Sequence, residues 1–322
     1  LEKRFDVTTI GEGSIRLSVG EGRRLNTASE FQVGISGAEA NVVGGLSRLG
    51  WKTSWISSLP ETPVGKRIRN EYRSHGINVE GIYWSQGSRV ATLFVEYAKQ
   101  PRSTKVIFDR ENTCFTKITS EQVNWEYLLD SKIIHLTGIT VPLSENTLQI
   151  AREAIEKAHR NDVKVSFDVN YRNNLWSSKE KACNTLLPMI QNVEILFCNK
   201  RDAQTVFNCS GTDEEIIKEL QILSNANKVV MSRGSEGAMG LENGKIYSEQ
   251  ARDVVIIDRI GAGDGLAAGV LHGWLQGDFA KGLKYGMVTS ALALSQYGEI
   301  VNTNVEELNQ LLGEKKPDDI VR

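Results

Sequence analysis

Short apolar runs rich in β-branched residues alternate with stretches of helical period along most of this chain. A parallel strand needs a crossover and cover on both faces, so the alternation predicts a three-layer α/β fold around a mostly parallel central sheet. Phe5–Ile10 is the expected opening strand. A helix over about residues 38–49 ends at Gly50, a strand follows over 53–57, and a helix over 66–75 stops at Gly76. Residues 132–136, 163–167, 194–197 and 228–231 are the further candidate parallel strands. Residues 146–159 give the clearest helix, capped by Ser144 and carrying an apolar face of Leu148, Ile150, Ala151, Ala154, Ile155 and Ala158. Val254, Val255, Ile256 and Ile257 predict one more buried strand.

Two stretches break the rhythm. Residues 14–32 and 89–108 read as short strands joined by polar turns and do not fit strand–helix–strand units. Together they predict a small β-sheet covering a site, or hairpin-like surface loops. No repeat, low-complexity tract or long linker divides the chain. The expected organisation is a single α/β domain over residues 1–322, its lid formed by inserted segments of about 12–36 and 88–115.

Composition narrows the function classes. The 322 residues are 40% hydrophobic and 24% charged, ordinary values for a chain that buries a large core. A net charge of −2 argues against nucleic acid or a membrane surface as the main partner. No stretch reaches the roughly 18 to 20 apolar residues of a membrane span. The opening residues lack a signal-peptide pattern, and Cys114, Cys183, Cys198 and Cys209 form no Cys-x-x-Cys pair. A reducing cytoplasm is therefore expected, without a zinc site or disulfide framework. His75 and His159 fall at expected helix ends, where a cation complements the dipole.

Most chemistry is concentrated in Asp258-Arg259-Ile260-Gly261-Ala262-Gly263-Asp264, continued by Gly265-Leu266-Ala267-Ala268-Gly269. A glycine turn opening a helix exposes the amides of Gly261, Ala262 and Gly263, which with the helix dipole form an anion site. Asp264 adds a carboxylate in the first turn, where the dipole favours its ionised form. A base beside an anion cradle suits phosphoryl transfer to a hydroxyl. An acidic residue in a first turn is also ordinary charge–dipole complementarity, so neighbouring groups must decide. In open α/β sheets those groups lie at the carboxyl ends of the strands. Asp168-Val169-Asn170-Tyr171-Arg172 offers amide hydrogen bonding at Asn170 and a planar fork at Arg172 suited to carboxylate or phosphate. Asn199-Lys200-Arg201-Asp202 follows the next strand, with Asn199 also a natural helix cap. Ser232-Arg233-Gly234-Ser235-Glu236-Gly237 follows the one after, its glycines suiting a nucleotide or an ordinary turn. Ser36-Gly37-Ala38-Glu39-Ala40-Asn41 opens the first helix, where Gly37 lets a sugar hydroxyl meet backbone. No P-loop, dinucleotide fingerprint or nucleophile elbow is present.

These residues make the chain resemble the ribokinase-like, or PfkB, carbohydrate kinases from about Phe5 to the C-terminal helix. Asp258 to Asp264 resembles the family's Asp-Thr-x-Gly-Ala-Gly-Asp signature with Arg259 in the threonine position, and the stretch from Ser36 to Gly50 resembles the N-terminal one with Ser36 for its first glycine. The resemblance implies a ribokinase-like fold, Asp264 as catalytic base and Gly261, Ala262 and Gly263 as anion hole. It implies Asn199, Ser232, Arg233, Gly234 and Gly237 near ATP, and Asp202 in a Mg²⁺–water network. Within the family the chain is most similar to 2-keto-3-deoxygluconate kinases, through Ser166 to Arg172 with Leu175-Trp176 and through His135 to Thr140. That likeness implies a sugar acid held by Arg110 and Arg172, with Gly37, Asn41, Asn170 and Glu299 also on the substrate, and a homo-oligomer through the lid. Tyrosines of the resembling enzymes correspond to Leu93 and Phe108 here, and an aspartate to Glu299. Those departures keep open a kinase of fructose or 5-keto-2-deoxygluconate. A non-catalytic sugar or nucleotide sensor on the same scaffold is the alternative from a different class.

Overall fold

The computed structural model describes residues 2–99 and 101–313. β1 (Phe5–Ile10), β2 (Ser14–Val19) and β3 (Gln32–Ser36) lead into α1 (Ala38–Arg48). β4 (Thr53–Ile56), β5 (Ser58–Pro60), α2 (Pro63–Ser74) and β6 (Tyr83–Ser85) follow. The middle holds β7 (Ala91–Glu96), β8 (Lys105–Asp109), α3 (Trp125–Leu129), β9 (Ser131–Thr137), α4 (Glu145–Arg160), β10 (Lys164–Asp168) and α5 (Lys179–Met189). Then come β11 (Ile195–Asn199), α6 (Lys200–Val206), α7 (Asp213–Ser224), β12 (Lys228–Ser232), β13 (Ala238–Glu242) and β14 (Lys245–Glu249). α8 (Ala262–Leu275), α9 (Phe279–Leu294) and α10 (Val305–Leu312) close the chain.

The large sheet has the order β14-β13-β12-β11-β10-β9-β1-β4, parallel from β12 to β4 and antiparallel at β13 and β14. The expected parallel strands are all there, each within a residue or two of its expected bounds. Helices cover both faces. Leu46 of α1, Ile68 of α2, Val270 of α8 and Leu283 of α9 pack with Val7, Ile133, Phe197 and Val230. Ala154 of α4, Leu186 of α5, Ala203 of α6 and Leu220 of α7 pack with Ile134, Phe167, Leu196 and Val229 on the opposite face. Alternate residues of β9 and β12 thus serve opposite cores, as the period of two requires. Local chemistry sets the helix starts. Ser144 and Thr147 form a reciprocal capping box on α4, and the Thr62 hydroxyl caps α2 ahead of Pro63.

The two irregular stretches meet as a separate four-stranded sheet, β3-β2-β7-β8, in which β2 and β7 run parallel and the other pairs antiparallel. Residues 254–257 are not a strand. Val255 is 83% exposed, and the amides of Ile257 and Asp258 both donate to the carbonyl of Leu294 at the end of α9. A β-branched tetrad makes a strand only beside a free sheet edge; here the chain has left β14 and caps a helix instead. At His75 partial burial, with the Arg48 charge adding to it, pushes the imidazole pKa down, which disfavours the helix-end cation expected.

Candidate active site

Parallel strands bring their carboxyl ends to one edge of the sheet, and the cavity lies there. Its volume is about 510 Å³. Glu12 after β1, Asp168 at the end of β10 with Asn170 just beyond, Asn199 at the end of β11 and Ser232 at the end of β12 form the sheet side. The starts of α1 and α8 contribute Gly37 and residues 261–264, and the small sheet contributes Leu93, Val106, Phe108 and Arg110. The small sheet is therefore a cover over the site.

Gly261 caps α8 at φ +96°, a left-handed conformation that L side chains rarely adopt, and a Cβ there would fall 2.6 Å from the Glu299 carbonyl oxygen. The tight turn sends the first-turn amides of Ala262 and Gly263 to the cavity before any intrahelical acceptor exists. Nothing lies within 4 Å of where a Cβ on Gly263 would sit, so this side of the cradle is open. Gly37 has a different reason to be glycine. A Cβ would meet the Glu12 carbonyl oxygen and the Tyr72 hydroxyl, each at 2.7 Å, so close packing excludes a side chain.

Asp264 sits in the first turn of α8, its Oδ2 accepting from Asn41 Nδ2 at 2.7 Å. Burial pushes its pKa up to about 8 against the lowering effect of the Asn41 hydrogen bond, with Glu299 and Asp168 adding to the rise and Arg172 opposing it. The expectation that the helix dipole keeps this carboxyl ionised is thus reversed. The same Asn41 amide nitrogen donates to Glu299 Oε2 at 3.0 Å, while Asn41 itself is buried behind the cavity wall. Asn41 is placed to hold two carboxylates rather than to meet a ligand. Glu299 reaches the cavity, but its oxygens also accept from Arg16 and Ser36.

At the opposite end, Arg110 donates from Nε and Nη2 to Glu12 Oε2 at 3.0 and 2.8 Å. Its Nη1 is buried and has no hydrogen-bond partner among the described residues. The guanidinium carbon lies 5.0 Å from the Phe108 ring centroid. Arg172 is exposed and lines the same cavity, donating only to the neighbouring Tyr171 carbonyl. Asn170, at φ +38°, is tied by its amide to Asp168 Oδ1.

The cavity brings together Gly37, Arg110, Asn170, Arg172, Asn199, Ser232, Gly261, Ala262, Gly263, Asp264 and Glu299. Arg233, Gly234 and Gly237 are not among its lining residues: Arg233 pairs with Asp213 at 3.0 Å, and Gly237 packs against the Glu249 carbonyl. Asp202 is held behind Asn199, accepting from the Asn199 side chain at 2.7 Å and the Tyr171 amide at 3.1 Å. Sequence reasoning missed Glu12, though an acid between Gly11 and Gly13 directly after β1 was a readable signal. It placed Asp168 and Glu39 in their polar clusters without giving either a role: burial pushes the Asp168 pKa up to about 7, and Glu39 is buried, accepting from Thr137 and Thr140.

Known proteins resemble the whole chain. The pfkB family carbohydrate kinase profile matches residues 4–319. A 2-dehydro-3-deoxygalactonokinase of Haloferax volcanii is 31% identical over 310 residues, 95% of this chain and 96% of that protein. A 5-dehydro-2-deoxygluconokinase of Bacillus licheniformis is 26% identical over 317 residues, 97% of each. The crystal structure of 2-dehydro-3-deoxygluconokinase from Thermotoga maritima superposes with a TM-score of 0.91 at 29% identity, covering 96% of this chain and 98% of that one.

Proposed function

Because this chain belongs to the pfkB family of carbohydrate kinases, we propose that it phosphorylates a six-carbon sugar acid, 2-keto-3-deoxygluconate, on its terminal hydroxyl with ATP as donor. The observation that carries the reading is that Arg110, with an unpartnered Nη1, and Arg172 line the same cavity as Asp264. A sugar carboxylate matches that pair of guanidiniums, and a neutral hexose has no group that needs them. Relatives named for 2-keto-3-deoxy sugar acids point the same way.

The sugar lies between the small sheet and the strand ends, its carboxylate toward the arginines and its terminal hydroxyl toward Asp264. Asp264 takes the hydroxyl proton as the sugar oxygen bonds to the γ-phosphorus, and the bond from that phosphorus to the ADP oxygen breaks. A carboxyl with a pKa near 8 is a competent acceptor, and a loose phosphoryl transition state asks for little early proton removal. The amides of Gly261, Ala262 and Gly263 stabilise the charge on the moving phosphoryl group. The open flank at Gly263 and the polar ends of β11 and β12 fit a triphosphate. Among the described residues no three or more acids, histidines or cysteines cluster to hold a metal ion. Mg²⁺, which supplies charge neutralisation when bound, would therefore come on the nucleotide phosphates.

A coupled ADP-release assay over 2-keto-3-deoxygluconate, its galactonate epimer, 5-keto-2-deoxygluconate, fructose and ribose tests the reading. Turnover concentrated on the 2-keto-3-deoxy acids supports it. Turnover on neutral sugars alone overturns the arginine clamp, and ATP and sugar binding without turnover identifies a sensor.

A further inference from the structure

The small sheet does more than cover the cavity, because one of its residues reaches through to the catalytic turn. Arg16, on β2, is buried, with 3% of its side chain exposed. Nη1 donates to Glu299 Oε1 at 3.1 Å, and Nη2 donates to Asp258 Oδ2 and to the Tyr97 hydroxyl. Tyr97, just past β7, donates a hydrogen bond from its own hydroxyl to Asp258 Oδ2 at 2.9 Å. Asp258 in turn accepts the Ile260 amide on Oδ1 at 3.0 Å, which fixes the approach to Gly261. From Glu299 the chain of bonds continues through Asn41 to Asp264, at 3.0 and 2.7 Å.

One guanidinium thus serves two buried carboxylates that flank the catalytic turn. Without it, Asp258 and Glu299 would be two acids with no cation between them, and each would relax or take up a proton. Asn41 matters in this arrangement because its nitrogen faces both Asp264 and Glu299 while its oxygen is buried without a partner. The amide has no second arrangement that satisfies both carboxylates, so its orientation depends on Glu299 staying in place. Arg16 does not appear among the residues lining the cavity.

We propose that Arg16 is a positioning residue that couples the small sheet to the catalytic base, acting through Glu299 and Asn41 on the orientation of Asp264 and through Asp258 on the Gly261–Gly263 turn. The proposal rests on Asp264 being the base, and it does not depend on which sugar is used. Charge at the far end of the relay is shared: Asp264 also faces Asp168 and Arg172, and Glu299 also faces Asp258 and the buried Tyr72 hydroxyl. Arg16 is the one cation bonded to both Asp258 and Glu299 among the described residues.

The test is a double-mutant cycle between Arg16→Met and Glu299→Gln, read as kcat, KM and direct binding of sugar and a non-hydrolysable ATP analogue. Misplacement of a reacting group by about 1 Å costs roughly 100-fold, so Arg16→Met should lower kcat about 10- to 100-fold. Both dissociation constants should stay within about threefold, because Arg16 touches neither ligand. Arg16→Lys, which keeps the charge but not the fork, should recover part of the loss. In the Glu299→Gln background, removing Arg16 should cost clearly less than it does alone, because only the branch through Asp258 is left to lose. Additive losses, or a kcat that stays normal while the melting temperature falls, would overturn the role in favour of a purely structural one. If Arg16→Met does not fold, the cycle is run with Arg16→Lys; a lysine variant that also does not fold overturns the proposal. Asp264→Asn run alongside keeps the two readings apart. If that variant turns over normally, the base assignment fails; if it is inactive while the cycle is additive, only the Arg16 relay fails.

Discussion

At the α8 end of the cavity the carboxylates are all tied into hydrogen bonds, whereas at the β8 end the strand that closes it is exposed along its whole length. Asp264, Asn41, Glu299, Ser36, Arg16 and Asp258 form one continuous set of hydrogen bonds, most of it buried. Residues 105–109 are all exposed, and Arg110 just beyond them is held by one carboxylate. The difference separates two jobs. The chemistry is common to any hydroxyl acceptor and requires fixed geometry, so its residues are over-determined. On the proposed reading, choice of sugar falls to groups outside that corner, Arg110 just past β8 and Arg172 just past β10.

The largest expected effect lies at the rigid end. Asp264→Asn keeps the shape and the Asn41 contact but cannot accept a proton, and kcat should fall by about 100-fold or more. Its ligand affinities should change little, which isothermal titration would check. Normal turnover would erase the contrast between the two ends, since the over-determined corner would then hold nothing essential.

The exposed end should respond in binding. Arg172→Gln removes an exposed guanidinium that donates only to Tyr171, so it should raise the sugar-acid KM about 10- to 100-fold, the worth of one charge-assisted pair, without lowering stability. Arg110→Gln should do the same and also destabilise the protein, because Glu12 would remain buried with only Thr113 as partner. Denaturant midpoints of the two variants measure that difference. Equal midpoints would show that Glu12 does not depend on Arg110.

pH sharpens the comparison further. With Asp264 raised to about 8, kcat/KM should fall as pH drops through that value, since the base must be unprotonated. Stability should move the other way. A carboxyl whose folded pKa exceeds its unfolded value of roughly 3.9 supports the fold fully at low pH and loses that support as pH rises through 8. Asp264→Asn should therefore gain melting temperature over the wild type at pH 9 and little at pH 5, by a few degrees at most. An equal gain at both values would place the ionisation elsewhere.

Much of this architecture was legible because it is local. The parallel strands announce themselves as β-branched runs ended by polar residues, and the Gly261–Asp264 turn announces an anion site. The failures came where partners are distant or context decides. Arg16 meets Glu299 across 283 positions and Asp258 across 242, and no spacing rule links a lid strand to a helix cap at that range. The family resemblance implied Asn41 as a ligand contact; only packing reveals that it faces two carboxylates. Residues 254–257 had the composition of a strand and lacked an edge to pair with.

The smallest expected effect probes the lid without touching a charge. Phe108 is partly exposed, lines the cavity and lies under the Arg110 guanidinium, and Leu93 beside it is buried. Phe108→Tyr keeps the ring and its contact with Arg110 and adds one hydroxyl on the side of the substrate. A single neutral hydrogen bond is worth about 0.5 to 1.5 kcal/mol, so the KM for a sugar acid should fall by no more than roughly tenfold, with kcat unchanged. The ratio of activities on the gluconate and galactonate epimers should shift, because the new donor distinguishes hydroxyls that the arginines do not see. If kcat moved instead, β8 would be coupled to the base as tightly as β2 is, and the division between a fixed chemical corner and an adjustable lid would not hold.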